Sequence, residues 1–223
     1  MNNNREQEAL AAYLKLLKNK GADSALLKRR ETFLSKLMEA IAGKPGAGAT
    51  YRESVERLLE TLPTKDWPFF LAIAREYYPF WTSDIKAIAA LNAESGFSVE
   101  PVQWQPVDCN LKTLWTGLDK EKFSVAETWP LKAYMMALRQ EGAEQSLVDT
   151  RAKLVKLLLV RLKDAPEKNH RIYRIAVDAT LPLFSMKDTR KLFLTVVREF
   201  YYFWIGDPEA ASHILSEASV SYL

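Results

Sequence analysis

Residues 75–81 read REYYPFW and residues 198–204 read REFYYFW. A short polar step and an aspartate follow each stretch, Asp84 and Asp207. Arg75 aligns with Arg198, Glu76 with Glu199, Tyr78 with Tyr201, Phe80 with Phe203 and Trp81 with Trp204, all at one spacing. Such a recurrence points to a tandem duplication of a helical unit. Upstream, LLETLP ends at Pro63 and VDATLP at Pro182. Those prolines are four residues closer together than the aromatic motifs are, about one helical turn. An insertion of that size lengthens a loop or a helix start and keeps the buried face in phase. Further back, ETFLSKLMEAI (31–41) resembles RAKLVKLLLVR (151–161) in apolar spacing.

Helix signals fill the chain between these marks. Leu10, Tyr13, Leu14 and Leu17 recur at helical spacing over residues 5–19, and Gly21 stops the run. Asp23 or Ser24 caps the next helix, whose stripe is Leu26, Leu27, Phe33, Leu34, Leu37, Met38 and Ile41. Thr50 and Glu53 form a capping box for a third. Asp66 caps the aromatic helix, Trp67–Pro68 occupy its first turn, and Pro79 is expected to disturb it near its end. Asp84 caps one more helix. In the second half, Leu154, Leu157, Leu158 and Leu162 face inward from residues 147–163, Asn169 caps the following helix, and Ser185 with Asp188 reads as a capping box before the long aromatic helix. Asp207–Pro208 reads as another cap and first turn.

The middle is less regular. FSVEPVQWQPV, within residues 96–107, reads as a crossing linker or a short edge strand. Asp108 is placed to cap a small helix through Leu111, Leu114 and Trp115. Thr128 starts a further helix, and its Trp129–Pro130 opening echoes Trp67–Pro68. The expected fold is therefore all-α, a tandem duplication of a three- to four-helix unit. About nine or ten helices pack as a multihelical bundle or short helical array. The expected boundaries are an N-terminal helix over 1–22 packing on the first unit, a first unit over 23–95, a connector with two helices over 96–145, and a second unit over 146–223.

Composition narrows the function classes. The 223 residues are 48% hydrophobic and 26% charged, ordinary for a globular protein. The one cysteine, Cys109, excludes an intrachain disulfide. MNNNREQEAL has no apolar signal core, and the longest apolar run, 192–205, is broken by Arg198 and Glu199. A soluble, cytoplasmic protein without a membrane partner is the expectation. The net charge of +3 is uneven: residues 1–46 carry nine Lys/Arg against five Asp/Glu, and residues 151–174 eight against two.

No catalytic or metal signature emerges. His170 and His213 have no neighbour at metal-ligand spacing, and KPGAGA lacks the remainder of a phosphate loop. No cofactor and no metal are expected. The leading expectation is a non-catalytic helical interaction or scaffold protein, binding a protein partner or itself. Its candidate contact residues are Arg75, Tyr77, Tyr78, Trp81, Arg198, Phe200, Tyr201 and Trp204, which either fill the core or line a paired groove. The alternative is nucleic-acid binding by Arg29, Arg30, Lys36, Lys153, Lys156, Arg161, Arg171 and Arg174. A third reading is a helical enzyme with a pocket near 96–110, at Trp104, Asp108 and Cys109.

Overall fold

A computed structural model describes residues 3–93 and 104–214. Among them the chain is all-α, with ten α-helices and three short 3-10 turns. The helices are α1 (Asn3–Asn19), α2 (Ser24–Ile41), α3 (Gly48–Glu60), α4 (Trp67–Thr82), α5 (Ile85–Ala93), α6 (Leu111–Gly117), α7 (Val125–Gln140), α8 (Gln145–Arg161), α9 (His170–Thr180) and α10 (Lys187–Ile205). The chain divides into two compact units, Met1–Gln103 and Trp104–Leu223. Helix α1 packs on α4 and α2 within the first unit. Helix α7, expected in a connector, packs against α8 and α10 and is part of the second unit.

In the first unit, α1 buries Leu10, Tyr13 and Leu17, and α2 buries Phe33, Leu34, Leu37 and Ile41. Both stripes follow helical spacing, and α4 closes over them with Phe70, Ile73, Tyr77 and Phe80. Each such side chain contributes about 1.5–3 kcal/mol on burial. Asp23 caps α2 as expected, its Oδ1 accepting from the Leu26 N–H at 2.7 Å. In the second unit, α8 is enclosed on most sides. Leu154, Leu157, Leu158 and Leu162 are all buried, and so are Arg151 and Arg161.

Several local expectations change. Helix α3 starts at Gly48, two residues before the Thr50–Glu53 box. Its first turn runs against Tyr78, where a Cβ on Gly48 would meet the phenol oxygen at 2.8 Å. Helix α4 continues through Pro79 to Thr82. Helix α7 begins at Val125, and Glu127 reaches back to accept from the Ser124 N–H at 2.7 Å. Trp129–Pro130 thus sits in the second turn and not at the opening. Asn110, rather than Asp108, caps α6. Helix α10 follows Met186 with no side-chain cap, so Ser185 and Asp188 form no box. Asp207 holds a turn, accepting from the Glu209 N–H at 2.8 Å, and no α-helix follows before residue 214. The expected edge strand falls mainly on residues outside the described ones; residues 104–107 are non-helical and form no strand.

The two units end their aromatic helices alike. Ser83 (φ 57°) and Gly206 (φ 78°) are both left-handed. The Asp84 N–H donates to the Pro79 carbonyl and the Asp207 N–H to the Tyr202 carbonyl, each at 2.9 Å.

Candidate functional site

The glutamate of each aromatic motif anchors a buried polar cluster. In the first unit, Tyr13 on α1 donates its hydroxyl to Glu76 Oε2 on α4 at 2.9 Å. Arg30 on α2 donates to the Tyr13 oxygen at 2.5 Å and to Glu76 Oε2. In the second, Tyr134 on α7 donates to Glu199 Oε2 on α10 at 2.6 Å. Arg151 on α8 donates to the same carboxylate oxygen at 2.6 Å, with the Tyr134 oxygen 3.4 Å away. Tyrosine and arginine are 17 residues apart in both clusters, and arginine and glutamate 46 and 48 apart. One cluster therefore ties three helices together in each unit.

The clusters differ in depth. The Glu76 side chain is 22% exposed, whereas that of Glu199 is fully enclosed. Burial first, then the adjacent carboxylate, raises the Tyr13 and Tyr134 hydroxyls above the ordinary phenol range. Burial alone would pull Arg30 and Arg151 down, but the phenol and carboxylate more than restore them. The guanidinium stays charged and the phenol neutral through the physiological range, so neither exchanges a proton there. The geometry is that of a structural clasp and not of acid–base chemistry.

A second clasp recurs beside the first. Tyr51 donates to the Ala74 carbonyl at 2.7 Å, joining α3 to α4, and Tyr173 to the Val197 carbonyl at 2.6 Å, joining α9 to α10. Tyr51 lies 5.0 Å from the rings of both Tyr78 and Trp81; Tyr173 lies 5.1 Å from Tyr201 and 5.0 Å from Trp204. These contacts redistribute the residues proposed for a groove. Tyr77 and Phe200 have no exposed surface, and Trp204 retains 4%. They form core and are closed to a partner. Trp81, Arg75 and Tyr201 are half-buried, and Tyr78 and Arg198 are exposed.

The basic set is also divided. Arg30 and Arg161 are buried. Arg161 donates to the Val107 and Ala179 carbonyls, so its charge secures the segment before α6. Arg29 meets Asp66 at 2.9 Å and lies over Phe69, Lys156 meets Asp119 at 3.2 Å, and Lys153 lies 5.9 Å from the Trp115 ring. Lys36 and Arg174 are exposed and Arg171 half-buried. The eight residues do not form one outward cationic set, because internal packing uses several of them.

The residues of the enzyme reading hold no activated nucleophile. Cys109 lies 3.7 Å from an Arg161 nitrogen, yet its thiol is raised by burial, against the lowering effect of that arginine. His213 stacks on Tyr202 at 3.5 Å. Among the described residues, no group of three His, Cys, Asp or Glu is placed to hold a metal ion.

A feature not drawn from the sequence is the outer face of α7. Val125, Trp129 and Met136 are 73%, 70% and 58% exposed. Lys132 and Arg139 share their line at helical spacing, directly opposite buried Leu131, Tyr134 and Leu138. A tryptophan this exposed is unusual. The signal was present as an i, i+4, i+7, i+11 series, but apolar residues on both faces of α7 obscure which one is buried. On α1, the helix that occupies the same place in its clasp, the outward residues are Glu8, Ala11, Lys15 and Lys18.

Neither a family model, nor a curated protein, nor a solved structure matches this chain. Among the described residues, no helix is long and apolar enough to cross a membrane.

Proposed function

We propose that this is a non-catalytic interaction protein, built from two copies of one four-helix unit whose outer surfaces have diverged. The recurrence of both clasps, at nearly one spacing, supports common descent of the units. The observation carrying the functional reading is the exposed Val125–Trp129–Met136 line on α7. An apolar line opposite the core contributes little to folding, and the corresponding face of α1 is polar. Exposed apolar surface of this kind marks contact sites in folded proteins. The polar groups best suited to chemistry are instead spent on holding helices together.

Site-specific photocrosslinking in the native cell tests the reading. A p-benzoylphenylalanine at position 129 is expected to give discrete protein adducts, and the same group at position 8 on α1 none. No adduct from position 129, or the same adducts from both positions, contradicts it.

A further inference from the structure

The chemistry of the α7 face narrows the partner. Its centre line reads Val125, Trp129, Lys132, Met136, Arg139, so large apolar groups alternate with cations and no carboxylate interrupts them. The nearest acidic residue of the helix, Glu127, is turned away into the bond with the Ser124 N–H. Exposed Lys120 and Lys122 precede the helix, where Asp119 pairs with Lys156 of α8 and Glu121 with Lys163 just after it, and exposed Glu141 follows α7. The line itself carries two cations and no carboxylate.

We infer that this face docks an acidic amphipathic helix of a protein partner; the inference rests on the interaction reading above. A partner helix laid along α7 would seat apolar residues between Trp129 and Met136 and place carboxylates against Lys132 and Arg139. The face is convex and follows one helix, so it suits a helix packing side by side rather than an extended peptide seeking a sheet edge. A second copy of this chain fits poorly. Antiparallel two-fold pairing on this face sets Lys132 against Lys132 at its centre, and like charges there oppose association. The three apolar side chains also offer only a few hundred Å², well short of the ~1,200 Å² total of a stable standard interface. The contact is therefore of the transient kind, steered by charge and sensitive to salt.

The test uses the full chain and two labelled synthetic helices with the same leucine face, one bearing glutamates opposite and the other lysines. Fluorescence anisotropy should show the glutamate helix binding at least about tenfold more tightly than the lysine helix. Lys132→Glu with Arg139→Glu should remove or invert that preference, and Trp129→Ala should weaken the glutamate helix several-fold. Lys15→Glu with Lys18→Glu on α1 should leave the affinity unchanged, which separates a local site from net charge. Circular dichroism identifies any variant that has lost its fold. Equal binding of both helices, or indifference to Trp129→Ala, overturns the inference. Binding to vesicles rich in phosphatidylglycerol without binding of the glutamate helix overturns it in favour of an anionic lipid surface. Absence of charge preference with retained crosslinking at position 129 removes the acidic partner alone; loss of crosslinking removes the interaction reading too.

Discussion

Replacing Glu199 by alanine is the most informative perturbation of the fold. The carboxylate is fully enclosed, accepts from Arg151 and Tyr134 at 2.6 Å each, and joins α7, α8 and α10. Its removal leaves the Arg151 cation buried, and Arg151 Nε already has no hydrogen-bond partner. Breaking a buried pair in this way costs about 3–5 kcal/mol. The matching Glu76→Ala change should cost less, about 1–3 kcal/mol, because water reaches the 22% exposed side chain and solvates Arg30. A third variant separates charge from packing. Tyr134→Phe, Arg151→Met and Glu199→Leu together remove every charge yet keep the ring that packs on Phe200 and Phe203. Its stability should lie within about 1–2 kcal/mol of the parent, since apolar replacements of a buried pair are often neutral. Urea unfolding followed by tryptophan fluorescence and far-ultraviolet dichroism measures all three. A Glu199→Ala cost below about 1 kcal/mol, or a triple variant as unstable as the single one, refutes the reasoning.

Three other outcomes follow from the same contacts. Tyr13, Tyr51, Tyr77, Tyr134 and Tyr173 are all raised, chiefly by burial. Their contribution is complete below the unfolded phenol pKa near 10 and is lost as pH rises above it, by up to ~1.4 kcal/mol per group and pH unit. Absorbance at 295 nm should therefore show a tyrosine fraction ionising only as the fold melts; smooth ionisation of all nine with the fold intact would contradict this. Trp204→Ala should cost about 3–5 kcal/mol and Trp81→Ala distinctly less, because Trp204 is 4% exposed and Trp81 half-buried; equal thermal shifts would count against the assignment. Gly206→Ala places a Cβ at φ 78° and should lower stability by about 1 kcal/mol in chemical denaturation.

The sequence reveals what is local. The caps at Asp23 and Asn169 and the stop at Gly21 depend on a few neighbouring residues, and they stand where the sequence places them. The aromatic motifs likewise lie at the C-terminal ends of α4 and α10. The clasps were not legible, because each joins residues of three helices through tertiary packing. Nothing near Tyr13 announces Glu76. The recurring pairs Tyr13–Arg30 and Tyr134–Arg151, at one separation, were the available signal. The prolines obscured it: Pro63 precedes its 3-10 turn whereas Pro182 lies within one, so matching them sets the two segments out of phase with their clasps. Helix α3 starts two residues before its Thr50–Glu53 signal, where the missing side chain of Gly48 leaves room for the Tyr78 hydroxyl. The basic stretches misled in another way. Charge in a sequence suggests surface, but Arg30, Arg151 and Arg161 are buried by the partners that satisfy them.

The most direct measurement is sedimentation velocity of the chain mixed with the partner identified by crosslinking at position 129, comparing the parent with Trp129→Ala. Trp129 is 70% exposed and opposite the core, so its loss should leave the melting temperature unchanged. A faster-sedimenting complex in the parent, absent from an equally stable Trp129→Ala variant, is the expected result. Persistence of the complex in the variant, or a variant that loses it only by unfolding, would contradict the claim that the outer face of α7 is a binding surface.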